Sequence, residues 1–171
     1  MLVVLRTDMR LCDRTLWDER ELAEALLTRI RPHLPADVVD LVDKPHIVGD
    51  EPWWRDGAWR LTRLNERLRF LRYSPGMYFR PHVDGSYITP SGDEVSFLTM
   101  HLYLGGSADL EGGATRFYGK DAKGEMRQLD VDPVASSCLV FQHEGLEHSG
   151  EDVHKGTKFT MRTDFMYRRT A

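Results

Sequence analysis

Cysteine is nearly absent: Cys12 and Cys138 are the only two in 171 residues. Two thiols so far apart make no disulfide framework, and such usage suits a reducing compartment. Cys138 sits in the apolar run CLVF and reads as a small buried hydrophobe. Long hydrophobic runs are also missing. No stretch approaches the roughly 20 apolar residues needed to cross a bilayer, and the opening MLVVLR is too short for the core of a signal peptide. The expectation is a soluble, cytoplasmic protein with no membrane partner. Internal repeats and low-complexity segments are lacking too. There is no excess of positive charge: 23 Lys and Arg against 27 Asp and Glu leave a net charge of -4. That balance argues against wholesale binding of nucleic acid or of a membrane surface. The arginines are nevertheless uneven, with seven from Arg55 to Arg80 against only Asp56 and Glu66. This run reads first as a solvated face, and second as a patch for an anionic partner.

The length suits one domain over 1–171, with helical support over about 15–66 and a β core over about 67–167. Thr15 to Asp18 has capping-box spacing. After it Ala23, Leu26, Leu27, Ile30 and Leu34 fall on one face of an amphipathic helix that Pro32 ends. A shorter helix is predicted from Pro35 to Asp43, and another around Trp59 to Glu66. Between them GDEPWWRDGAW reads as a loop whose three tryptophans plug the core or rim a substrate site. From Arg67 the period changes to two. SFLTMHLYL places Phe97, Thr99, His101 and Tyr103 on one face and Leu98, Met100, Leu102 and Leu104 on the other. The aliphatic face is predicted to meet the helices, and the polar one to face a cavity. ATRFY, MRQLDV, SCLVF and KFTMRTDFMY add further strands. Helices followed by short strands and Gly-rich turns indicate an α+β fold built on a β-sandwich or jelly roll.

Chemistry concentrates in YSPGMYFRPHVDG, Tyr73 to Gly85. His82 and Asp84 stand two apart at the end of an extended run, so their side chains point the same way. They are two candidate metal ligands. His101, His143, His148 and His154 are candidates for a third, with His143 and His148 flanking the turn after CLVF. Two histidines and a carboxylate with open positions make the facial triad of non-haem iron(II) oxygenases. A closed zinc site would favour four ligands rich in cysteine, and neither cysteine is placed for that. Lys158 opens the last strand and shares a face with Thr160. That pair can hold a carboxylate through charge-assisted hydrogen bonds, although a lysine at a strand start is more commonly on the surface. Arg162 lies on the same face, about 13 Å further along at strand rise.

Taken together, YSPGMYFRPHVD, HLYLGG, EGGATRFY, SCLVF and His148 followed by K-F-T resemble the Fe(II)/2-oxoglutarate-dependent dioxygenases, in their prolyl 4-hydroxylase-like branch. The resemblance runs from about Leu64 to Tyr167. It implies a double-stranded β-helix with iron(II) on His82, Asp84 and His148, the last chosen because the family's basic residue follows its distal histidine at about the Lys158 spacing. It implies that Lys158, Thr160 and Tyr103 hold the distal carboxylate of 2-oxoglutarate, with His101 and Arg162 in the same pocket. It also implies O2 as co-substrate and ascorbate as a candidate reductant. The expected reaction decarboxylates 2-oxoglutarate to succinate and hydroxylates an unactivated C–H bond. Asp84 fills the position that related halogenases leave to chloride, which favours hydroxylation.

A peptidyl residue, proline first, is the expected substrate. Tyr73, Tyr78, Arg80 and Arg116 are candidates to meet it, with packing as their alternative role. The same chemistry on a small molecule or a nucleobase is the second reading; the residues after His148 do not resemble the two-arginine pattern of nucleic-acid demethylases. A non-catalytic β-helix that binds metal or peptide is the third. Oligomeric state is not legible in the sequence.

Overall fold

The computed structural model describes residues 7–51, 54 and 57–170. The described chain opens in strands, β1 (Arg10–Leu11) and β2 (Asp13–Asp18). The capping box predicted at Thr15 to Asp18 is thus corrected. This segment is extended because β2 pairs antiparallel with β5 (Arg67–Tyr73). Ion pairs close the ladder at both ends, Arg72 with Asp13 and Arg67 with Asp18. The first helix, α1 (Arg20–Ile30), begins instead at Glu19, whose carboxylate caps the Glu21 amide. It buries Ala23 and Leu27, and Pro32 lies in the single 3-10 turn that follows.

The predicted helix from Pro35 to Asp43 is shorter. It comprises α2 (Ala36–Val39), after which the chain enters β3 (Asp40–Leu41) and then α3 (Pro45–Val48). The helix predicted around Trp59 to Glu66 is a strand, β4 (Ala58–Leu64). Its buried Trp59 and Leu61 alternate with exposed Arg60, and β14 (Lys158–Thr170) supplies a ladder from far along the chain. Helices α1 to α3 therefore fall within 20–48, Trp54 is also helical, and strands already occupy parts of the predicted helical region of 15–66.

The remaining strands are β6 (Tyr78–His82), β7 (Val95–Gly106), β8 (Glu111–Gly112), β9 (Thr115–Lys120), β10 (Met126–Val131), β11 (Cys138–Gln142), β12 (His148–Gly150) and β13 (Val153–Lys155). One sheet runs β11-β7-β14-β4-β3, with β5 and then β2 added beside β14; the other runs β1-β6-β12-β9-β10. All these pairings are antiparallel. This is the jelly roll, or double-stranded β-helix, that the sequence led one to expect.

The core lies where the larger sheet meets the helices. Leu68, Phe165, Met166 and Tyr167 are fully buried, and Leu22, Leu26 and Ile30 of α1 pack against the same cluster as Met100. Trp54 and Trp59 stand edge-on to Phe97, with centroids 5.7 and 5.0 Å away, so these two rings are core plugs. Trp53 and Arg55 lie outside the described residues. Cys138, expected to be buried, is exposed at the start of β11. Among the described residues no helix is long and apolar enough to cross a membrane.

Strand register sets the floor of the cleft between the sheets. Residues directly opposite in an antiparallel ladder share a face. Lys158 lies between Tyr73 and Gly106, Thr160 between Leu71 and Tyr103, and Arg162 between Arg69 and His101. The period-two pattern thus becomes three rows of chemistry-bearing side chains.

Candidate active site

On the facing sheet, β6 ends in His82 and β12 begins in His148, and the two are register partners. Asp84 follows just after β6. Nε2 of His82 is 3.7 Å from Asp84 Oδ1, and Nε2 of His148 is 3.7 Å from Asp84 Oδ2. One ligand atom from each of the three residues can be chosen so that all lie within 4.8 Å of one another, close enough to share one ion. Of the four candidates for the third position, His148 is the one brought to His82 and Asp84. His101 is on the opposite wall, His143 is buried beside Asp164 at 3.9 Å, and His154 is exposed.

The imidazoles are oriented before any metal arrives. Nδ1 of His82 is 2.9 Å from the Arg80 carbonyl, and Nδ1 of His148 is 3.1 Å from the Leu146 carbonyl. A carbonyl can only accept, so both Nδ1 atoms carry the proton and both Nε2 lone pairs face Asp84. Burial pushes the His82 imidazole down to about 4 and holds His148 below its ordinary value. Both rings are therefore neutral, as ligation requires. Phe79 stacks on His82 with centroids 3.6 Å apart, and Phe141 meets His148 edge-on at 4.7 Å.

Asp84 is held from behind. Burial alone would raise its carboxyl pKa, but the Arg162 guanidinium and the Thr99 hydroxyl together bring it below the usual range. Thr99 Oγ1 donates to Oδ2 at 2.7 Å, and Arg162 Nη2 lies 2.9 Å from the same oxygen. Oδ2 is therefore occupied and Oδ1 is left to face His82, an arrangement suited to one-oxygen ligation. Arg162, expected in the co-substrate pocket, lines the cleft but is tied to Asp84 and, at 3.4 Å, to Asp164. Replacing the fully buried Thr99 with valine keeps the volume and removes one donor. Competition titration should show iron(II) affinity lowered about 10–100-fold, the range for losing a hydrogen bond that orients a ligand.

The other end of the cleft holds an ammonium. Lys158, only 2% exposed, is not the surface residue that a lysine at a strand start commonly is. Its Nζ donates to the Gly113 carbonyl at 2.6 Å and lies 4.5 Å from the Tyr73 ring centroid. Gly113 turns that carbonyl inward with φ +75, where a Cβ would sit 3.1 Å from Val153 and 3.4 Å from the Lys158 chain. No carboxylate lies within ion-pair distance of Lys158 among the described residues, and burial pushes it down to about 8. Thr160 Oγ1 and His101 Nε2 are buried with no hydrogen-bond partner among the described residues.

Unfilled donors around a buried cation match a carboxylate ligand. The opposite end presents two imidazoles and a carboxylate, the donor set for iron(II). The residues present therefore fit iron and a dicarboxylic co-substrate. Tyr103 differs in detail from expectation: its hydroxyl donates to Thr115 at 2.7 Å, and it is Thr115 that lines the cleft.

Of the residues expected to meet substrate, Tyr73 lines the cleft, and Tyr78, Arg80 and Arg116 do not. Tyr73 is buried under Lys158. Tyr78 donates to the Thr7 carbonyl, and Arg80 stacks on the Tyr78 ring while pairing with Asp152. Arg116 is held by Asp130 and Glu151. The cleft, partly open to solvent, is lined also by Arg10, Arg14 and Arg69. Sequence reasoning missed Arg10 and Arg14 because their segment read as the approach to a helix. No period-two alternation marks the segment, where the apolar Leu16 and Trp17 are adjacent and every residue of β2 is exposed.

A cleft with a two-histidine, one-carboxylate triad at one end and a buried ammonium at the other defines an iron-dependent oxygenase that uses an anionic co-substrate. Residues 68–166 match the 2OG-Fe(II) oxygenase superfamily, and the chain belongs to that family. It is a 2-oxoglutarate-dependent dioxygenase whose cofactor is iron(II). Among solved structures, a Pseudomonas putida prolyl-4-hydroxylase superposes with a TM-score of 0.59 at 20% identity, over 97% of this chain and 76% of that one. The viral collagen prolyl hydroxylase of Paramecium bursaria Chlorella virus-1, in its 2-oxoglutarate complex, gives 0.55 at 18% identity, over 94% and 80%. At these identities the similarity is one of fold. No curated protein sequence matches the chain.

Proposed function

We propose that this dioxygenase hydroxylates an unactivated C–H bond of a peptidyl residue, proline first, while 2-oxoglutarate is decarboxylated to succinate. His82, Asp84 and His148 are the iron ligands in this reading, and Lys158 with Thr160 holds the distal carboxylate of the co-substrate. The observation that carries it is the buried, uncompensated Lys158 facing the triad across one cleft. Bound iron(II) with 2-oxoglutarate and O2 supplies the oxidising chemistry. The chain's own side chains do the rest. Lys158 and Thr160 position the co-substrate, the Phe79 and Phe141 rings limit water around the imidazoles, and Arg162 with Thr99 fixes the carboxylate. The fold shared with two prolyl hydroxylases supports proline as the target class.

The test is incubation of the iron-loaded enzyme with a proline-peptide library, 2-oxoglutarate and air. The expected product is a 16-dalton gain on proline, with one succinate formed per hydroxylation. Oxygen incorporated only at other residues, or only into small molecules, would sink the prolyl assignment.

A further inference from the structure

Among the described residues, arginine is normally paired in this protein. Arg60, Arg63, Arg67, Arg69, Arg72 and Arg80 each reach a carboxylate. These include most of the run that raised the question of an anionic partner, and their pairing makes them structural. Arg10 and Arg14 differ: neither has an ion pair with a described residue, yet both line the cleft.

Their placement follows from register. Arg10 on β1 is opposite Phe79, and its guanidinium carbon lies 5.0 Å over that ring, which in turn stacks on His82. Arg14 on β2 is opposite Leu71, in the row that continues through Thr160 to Tyr103. The five residues from Arg10 to Arg14 thus cross from one sheet to the other at the cleft mouth, with an arginine on each side.

The charge balance of the whole cleft is informative. Its cations are Arg10, Arg14, Arg69, Lys158 and Arg162; the carboxylates on them are Asp84 and Asp164. Iron(II) and the 2-oxoglutarate dianion cancel each other, so loading the site leaves three positive charges. Arg10 and Arg69 also hold the Arg14 guanidinium below its usual range, in addition to the larger effect of burial. Like charges gathered at a cleft mouth without counter-ions are unfavourable unless a ligand brings negative charge.

We propose that the substrate is an acidic peptide, with a carboxylate or phosphate close to the residue to be hydroxylated, and that Arg10 and Arg14 bind this anion. The proposal rests on the cleft being the hydroxylation site described above. Guanidinium forks match both oxyanions in the same bidentate geometry.

The test uses the full chain loaded with redox-silent manganese(II) and 2-oxoglutarate, and follows fluorescence anisotropy of end-blocked peptides. These share one sequence with glutamine, glutamate or phosphoserine beside the proline, and each has a proline-to-alanine counterpart. The glutamate or phosphoserine peptide should bind about tenfold tighter than the glutamine one, the scale of one charge-assisted hydrogen bond, and salt should erode the difference. The Arg10→Gln/Arg14→Gln protein should lose that preference, with circular dichroism as its folding control. Preference shared by the alanine counterparts would support the anion site while removing support for proline. Equal binding of glutamine and acidic peptides, a preference that survives in the double variant, or no binding of any peptide would overturn the proposal. A larger gain with phosphoserine than with glutamate would assign the site to phosphate, and the reverse to carboxylate.

Discussion

The protein with Asp84→Ala should form no succinate and should retain no iron(II) on desalting. Among the described residues Asp84 contributes the one carboxylate grouped with His82 and His148, and its Oδ2 is already committed to Thr99 and Arg162. Removing it should therefore delete one of the three proposed metal ligands and strip the partly buried Arg162 guanidinium of its nearest anion. Leaving a buried charge unpaired costs about 3–5 kcal/mol, and Arg162 retains Asp164 at 3.4 Å. Urea denaturation of the metal-free protein should accordingly show a loss near the lower end of that range. Asp84→Asn separates the two roles. It keeps an acceptor for Thr99 and Arg162, so stability should recover in part, whereas turnover should not. A variant with Asp84→Ala that still turned over 2-oxoglutarate would remove Asp84 from the ligand set.

Substituting Lys158→Met should raise the 2-oxoglutarate concentration needed for half-saturation about 100-fold. Hydrogen bonds to charged groups contribute about 1.5–3 kcal/mol each, and Nζ has two donors left beyond the one on Gly113. Methionine fills the same channel without a charge, so the fold should tolerate it. Because the folded protein holds Lys158 at about 8, well under the usual 10.5, two pH effects follow. The folded state binds fewer protons than the unfolded state between those values, so this group makes the metal-free protein more stable as pH rises through that window. Affinity for 2-oxoglutarate moves the other way and falls above about pH 8 as the ammonium is lost. The methionine variant should show neither dependence. Calorimetric titration across pH 7 to 10 would check both, and a flat wild-type profile would exclude Lys158 as the co-substrate anchor.

How much of this was legible in the sequence depended on whether the signal was local. His82 and Asp84 could be read from period-two spacing in one strand, and the alternation from Ser96 to Leu104 placed Thr99 and His101 on the cavity side. The third histidine was legible only through the resemblance and its Lys158 spacing, because what brings His148 to His82 is a cross-strand register between β12 and β6 that the fold creates. The two misread helices share a cause. Thr15 to Asp18 and Trp59 to Glu66 carry residues compatible with either state, and long-range ladders with β5 and β14 decided for strand. The substrate candidates near the metal strand failed for another reason. Arg80 and Arg116 are compensated by Asp152, Asp130 and Glu151 from distant segments, while Arg10 and Arg14, in a segment with no motif, have no ion pair with a described residue.

The central claim is that one cleft chelates iron(II) at His82, Asp84 and His148 and anchors 2-oxoglutarate at Lys158. Its most direct test is an anaerobic titration of the metal-free protein with iron(II) and then 2-oxoglutarate, followed by visible absorption. A weak charge-transfer band appearing only with both, absent in the protein with Asp84→Ala and requiring far more 2-oxoglutarate with Lys158→Met, is the predicted result. No band, together with tight zinc binding, would contradict it.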